Sequence, residues 1–127
     1  MPNDPMPKNK YDLEERTAQF GEDVIEFAKT VPKSIITIPI ISQFIRSGTS
    51  VGANYCEADC AETRKDFEHK LGICKKEAKE TKHWLRMIAK AVPESHAMAQ
   101  RLWKESNELQ LIFITIIRKS QSNITGK

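Results

Sequence analysis

Apolar residues recur at alternating steps of four and three in separate stretches of this chain, a spacing that permits little besides packed amphipathic helices. Leu13, Thr17, Phe20, Val24, Phe27 and Val31 form the first row. Asp12 stands where an N-cap belongs, and Pro32 closes the segment because the residue before a proline avoids helical angles. A second helix is predicted to begin near Pro39, whose fixed φ suits a first turn. At about 100° per residue, Ile41, Phe44, Ile45, Gly48, Val51, Gly52 and Tyr55 share its buried stripe.

The glycines inside that stripe carry the most information. Gly48 and Gly52 lie one turn apart, so their missing side chains let a neighbouring helix approach closely. Each costs a helix interior about 1 kcal/mol relative to alanine, which close packing must offset. A phosphate-binding loop would need Lys and Ser/Thr after a spaced glycine pair, and here Ala53 and Asn54 follow Gly52.

Thr63 and Asp66 form a weaker version of a capping box ahead of a third helix. Its stripe runs through Phe67, Leu71, Cys74, Ala78, Thr81, Leu85 and Ile88 until Pro93 interrupts it. A fourth segment, from about Pro93 to Lys119, is expected to bury Met98, Leu102, Leu109, Ile112, Phe113 and Ile116. The chain of 127 residues suffices for one core. The fold expected is therefore all-α, an antiparallel up-down four-helix bundle over residues 11–120. Residues 1–10, with three prolines, are expected as a disordered tail and residues 121–127 as a flexible one. "MPNDPMPKNK" lacks a secretory pattern, and the longest apolar run, Leu111 to Ile117, is far short of the ~20 residues that span a bilayer. A soluble cytoplasmic protein with no membrane association is expected.

The net charge of +3 hides an uneven distribution. Residues 1–30 carry four Lys/Arg against seven Asp/Glu, and residues 64–90 carry nine against four. Such asymmetry points to a polyanionic partner. Within the third segment Lys75, Lys79, Lys82, Arg86 and Lys90 fall within roughly 80° of one another, beside the buried stripe. Glu77 and Glu80 project more than a quarter-turn away. A solvated face is the plainer interpretation of these lysines; a phosphate-binding ridge without sequence readout is the functional one. Arg46, Arg64 and Lys65 are weaker candidates for the same contacts. No aromatic platform is evident beside the ridge in the sequence.

A second apolar set, Ile73, Trp84 and Met87 on the third helix with Trp103, Leu111 and Ile114 on the fourth, is placed roughly opposite the core and would be exposed in a monomer. It is expected to form a homo-oligomer interface, the alternative being an irregular bundle whose tail or loops cover it. Cys56, Cys60 and Cys74 are expected as reduced thiols. With His69 they do not complete a structural zinc set, and Cys74 falls on the core stripe. His69, His83 and His96 lack a nucleophile or carboxylate constellation. No enzyme, metal or cofactor is expected.

The stretch from Ile45 to Ile88, with "IRSGTSVGAN", Glu57 and Ala58, "RKDFEHKLGICKKEAKET" and "HWLRMI", resembles the bacterial four-helix proteins of the 23S rRNA intervening-sequence type. The resemblance implies a ring-like homopentamer. It also extends to the accessory variability protein of diversity-generating retroelements, which implies nucleic acid and, by analogy only, a reverse transcriptase as partners. It assigns Gly48, Gly52 and Phe67 to packing and marks Arg46, Asn54 and Glu57 as polar motif positions without a task. Cys56 stands where an apolar residue is commoner. The leading expectation is a non-enzymatic oligomeric bundle that binds RNA or DNA through the third-helix ridge. Its rival is a protein-interaction scaffold.

Overall fold

The computed structural model of the chain describes residues 12–125, which fold into four α-helices: α1 (Leu13–Thr30), α2 (Thr37–Asp59), α3 (Arg64–Ala91) and α4 (His96–Thr125). No strand occurs among the described residues. The tail expected at residues 1–10 lies outside them. α4 continues to Thr125, through most of the tail expected at residues 121–127.

Successive helices are antiparallel. Val24 meets Gly48 and Thr17 meets Gly52 across α1–α2. Cys74 lies on Val51, and Lys70 on Glu57, across α2–α3. Across α3–α4, Ser106 Oγ donates to the Ala78 carbonyl at 2.8 Å while Ser120 pairs with Glu68. The α2–α3 and α3–α4 seams are the most extensive, and α1 touches α4 least.

Local signals explain the boundaries. The Asp12 carboxylate accepts from the Glu15 N–H at 3.3 Å, and Thr63 Oγ1 from the Asp66 N–H at 3.0 Å, as the capping pattern requires. α2 begins at Thr37, ahead of the expected Pro39, because Ser34 and Thr37 build a reciprocal turn. Ser34 Oγ accepts from the Thr37 N–H at 3.0 Å, and Thr37 Oγ1 accepts from the Ser34 N–H at 2.9 Å. Threonine here does the work usually given to Glu or Gln. At Pro93 the chain makes a single 3-10 turn, Pro93–Ser95, and α4 starts directly after it.

The core is built from the expected rows. All six α1 positions are buried, as are Phe44, Gly48 and Val51 of α2 and the α3 row from Leu71 to Ile88. In α4, Leu102, Leu109 and Phe113 are buried and Ile112 and Ile116 half-buried. Met98 is instead exposed: Ala99, one residue on, takes the inward position at the helix start. Buried hydroxyls are satisfied within and between helices, with Thr81 Oγ1 2.9 Å from Ser47 Oγ of α2 and 2.8 Å from the Glu77 carbonyl oxygen.

The glycine stripe works as its sequence position implies. A Cβ on Gly48 would stand 2.7 Å from Val24 Cγ2, and one on Gly52 3.2 Å from the Thr17 carbonyl oxygen. α1 rests directly on the backbone of α2.

Candidate nucleic-acid interface

α3 has two flanks with different chemistry, because the bundle places a different neighbour on each side of its buried row. One flank faces α2. There Arg46 Nη1 reaches Glu77 Oε1 at 3.2 Å and its Nη2 pairs with Glu80, while Lys70 Nζ lies 2.6 Å from Glu57 Oε1. The hydrogen bond to Glu77, helped by the attraction of both carboxylates, raises the Arg46 pKa above its already high ordinary value. Arg46, expected as a phosphate contact, is therefore committed to an internal ion pair on the far side of α3 from the ridge. Glu57 takes part in the same seam, and Asn54 Nδ2 donates to the Ser50 carbonyl at 2.9 Å. The three polar motif positions thus have structural partners.

The other flank faces α4 and carries the ridge. Lys79, Arg86 and Lys90 are exposed and Lys75 is half-buried, and none of them forms an ion pair among the described residues. Glu77 and Glu80 turn to Arg46 on the other flank, and Glu68, on the α4 side near Arg64, pairs with Ser120. Lys82 is tied to α4: its Nζ donates to Asn107 Oδ1 at 2.8 Å and stands 4.8 Å from the centre of the Trp103 ring. Burial, and then the neighbouring Lys79, pull the Lys82 pKa below its ordinary value. Arg64 shares this flank near the start of α3, with its Nη1 donating to the Ser120 carbonyl at 3.1 Å, and Lys65 beside it is exposed. By helical spacing Arg118, exposed, falls on the same flank of α4 as Asn107. Neither its place nor that of Trp103 beside the ridge is legible in the sequence, since only packing shows which faces of two helices meet.

The second apolar set does not form one surface. Ile73, Trp84 and Met87 are half-buried on or near the α2 flank of α3, where Trp84 packs against the core with His83 edge-on at 4.8 Å. Its Nε1 is buried without a hydrogen-bond partner. Trp103 and the half-buried Ile114 lie on the α3 side of α4, and exposed Leu111 lines a groove with Leu13 and Tyr55. The expectation that all six are exposed in one monomer face is corrected accordingly: flanks that are remote from the core stripe on a single helix are partly covered by adjacent helices. Among the described residues the most exposed large apolar ones are others, Ile35 (90 %), Ile36 (62 %) and Ile38 (56 %), at the α1–α2 turn.

On the adjoining face of the bundle, α1 and α4 leave an open groove of about 750 Å³ lined by Asp23, Glu26, Glu94, Glu105 and Arg101 around Phe27 and Leu102. The acidic helix and the basic flank thus face different directions. Cys56 and Cys60 are exposed free thiols, and Cys74 is buried, its pKa pushed up to about 12 by desolvation. Among the described residues no three His, Cys, Asp or Glu side chains are grouped to hold a metal, and no helix is long and apolar enough to cross a membrane.

The family model described as 23S rRNA-intervening sequence protein matches residues 9–115. A crystal structure from Bacteroides thetaiotaomicron, a protein of unknown function from the S23 ribosomal protein family, superposes with a TM-score of 0.75 at 29% identity. The match covers 84% of this chain and 95% of that one. Among curated proteins no detectable relative is found.

Proposed function

The chain belongs to the 23S rRNA-intervening sequence protein family, and we propose that it is a non-enzymatic, cytoplasmic, oligomeric bundle that binds RNA or DNA through phosphate contacts from α3. Lys75, Lys79, Lys82 and Arg86 supply the charge, with Lys90, Arg64 and Lys65 extending it. Arg46 is withdrawn from the set. One observation carries this reading: Lys75, Lys79, Arg86 and Lys90 form no ion pair among the described residues, while Glu77 and Glu80 turn to Arg46 on the other flank of α3. A ridge serving only solubility has no need of such separation. Backbone contacts of this kind position a nucleic acid without reading its sequence.

The test is fluorescence anisotropy of a labelled structured RNA across a salt series, comparing wild type with Lys75→Glu/Lys79→Glu/Arg86→Glu. Binding that weakens steeply with salt, and a variant that loses both affinity and much of the salt slope, are expected. Failure of the wild type to bind at low salt overturns the reading.

A second reading is favoured by the exposed isoleucines at the α1–α2 turn. They suit an apolar docking surface, for further copies of the chain, with a pentamer as the expected assembly, or for a protein partner such as a reverse transcriptase. Light scattering on a sizing column, wild type against Ile35→Ser/Ile36→Ser, separates self-association from a monomer.

A further inference from the structure

We infer that the indole of Trp103 is a stacking platform for an unpaired nucleobase, so that the ligand of the basic flank is single-stranded nucleic acid rather than a duplex. The inference rests on the phosphate-binding reading above and specifies its ligand.

Trp103 retains 39 % of its surface exposed, while the other tryptophan, Trp84, packs against the core. An indole on the surface is spent apolar area unless something covers it. Its orientation is fixed from α3: the Lys82 ammonium stands 4.8 Å from the ring centre and is itself held by Asn107 Oδ1 at 2.8 Å. Such a pre-oriented ring loses little freedom when a base lies on it. Asn107 Nδ2 makes no hydrogen bond among the described residues and remains a donor beside the ring.

Lys79 and Arg86 lie one turn to either side of Lys82, so cations that form no ion pair among the described residues flank the indole along the helix axis. A strand whose phosphates follow Lys79 and Arg86 carries its bases past Trp103. In a duplex those base faces are hidden in the stack and the indole gains nothing. Charge along the backbone with an aromatic beside it is the general arrangement for sequence-tolerant single-strand binding.

The experiment uses three labelled oligonucleotides of equal length: an unstructured single-stranded RNA, the same strand with its central residues abasic, and a duplex. Each is titrated with wild type, Trp103→Ala, Trp103→Phe and the ridge Glu variant, with circular dichroism confirming the helix content of each. Wild type should prefer the base-bearing strand over the abasic one by on the order of tenfold. Trp103→Ala should erase that preference, Trp103→Phe should keep most of it, and quenching of tryptophan emission by the base-bearing strand should vanish in Trp103→Ala. Equal binding of all three by wild type, unchanged in Trp103→Ala but lost in the ridge variant, overturns the stacking and leaves the phosphate reading standing. Salt-dependent binding to none of them overturns both.

Discussion

Arg46 of α2 and Glu77 of α3 are joined across their seam, Nη1 lying 3.2 Å from Oε1 and 3.3 Å from Oε2, and the Glu77 side chain is only 10% exposed. Removing the arginine leaves a carboxylate that neither water nor another cation reaches easily. Arg46→Ala should lower stability by about 1–3 kcal/mol, read from the urea midpoint. Glu80→Ala, which deletes the exposed half of the same cluster, should cost less than about 1 kcal/mol. The reverse ranking would make Glu80 the anchor. Because Arg46 holds both carboxylates on the far flank of α3, folded Arg46→Ala should bind nucleic acid modestly more weakly than wild type, through the two freed carboxylates rather than a lost phosphate contact.

Two glycines on different helices make a matched pair. Gly48→Ala forces a methyl against both Val24 methyls and should destabilise by about 1–3 kcal/mol. Gly72→Ala meets nothing within 4 Å and should stabilise by about 0.5–1 kcal/mol through helix propensity alone. Thermal melts of the two variants check the opposite signs, and Val24→Ala should recover part of the Gly48→Ala loss.

Arg16 fastens α1 to α4, with Nε 2.7 Å from Glu105 Oε2 and Nη2 2.9 Å from Glu108 Oε1. The hydrogen bond to Glu105 is the main reason its pKa rises above the ordinary guanidinium value. Since α1 and α4 otherwise touch little, Arg16→Met should cost about 1 kcal/mol, and the cost should shrink in high salt. Native-state hydrogen exchange should show the change concentrated in α1.

The buried Cys74 thiol couples stability to alkaline pH. Its ordinary pKa is 9.0 and burial raises it to about 12 in the fold. Between those values the unfolded chain has released a proton that the folded chain retains. The stability conferred by the neutral thiol is therefore whole below pH 9 and is lost as pH rises through about 12. Tyr55, also raised by burial, acts in the same sense. Denaturant midpoints of Cys74→Ala should accordingly decline less steeply across this range than those of wild type. A thiol reagent at neutral pH should modify Cys56 and Cys60 and spare Cys74.

Much of the fold was legible because the four-three spacing acts locally. The rows of α1 and α3, the caps at Asp12 and Thr63 and the close approach at Gly48 and Gly52 all follow from residues within a few turns of one another. The start of α2 was missed because Ser34 is completed by a threonine rather than by Glu or Gln. Met98 lies off the inward row of α4, Ala99, Leu102, Ser106, Leu109 and Phe113, which keeps the three-four spacing through a small alanine and a serine that an apolar pattern does not mark. The candidate site was half legible. Spacing along α3 gathers the lysines, yet only packing places Trp103 beside Lys82 and draws Arg46 to Glu77, since each relation joins helices whose facing flanks no single-helix projection specifies.

The isoleucines of the α1–α2 turn bear on how concentrated the chain can become. Residues 34–41, "SIITIPII", are uncharged, rich in β-branched side chains and held as turn and helix by the reciprocal Ser34–Thr37 bonds. When that turn opens, the segment has the composition of an aggregating strand. Lys33 at its edge and Pro39 within it oppose such pairing, one by charge and the other by lacking an N–H. Pro39 thus protects the partly unfolded chain more than it shapes the folded one, and replacing it with valine would leave the helix intact while exposing the protein to self-assembly into fibres.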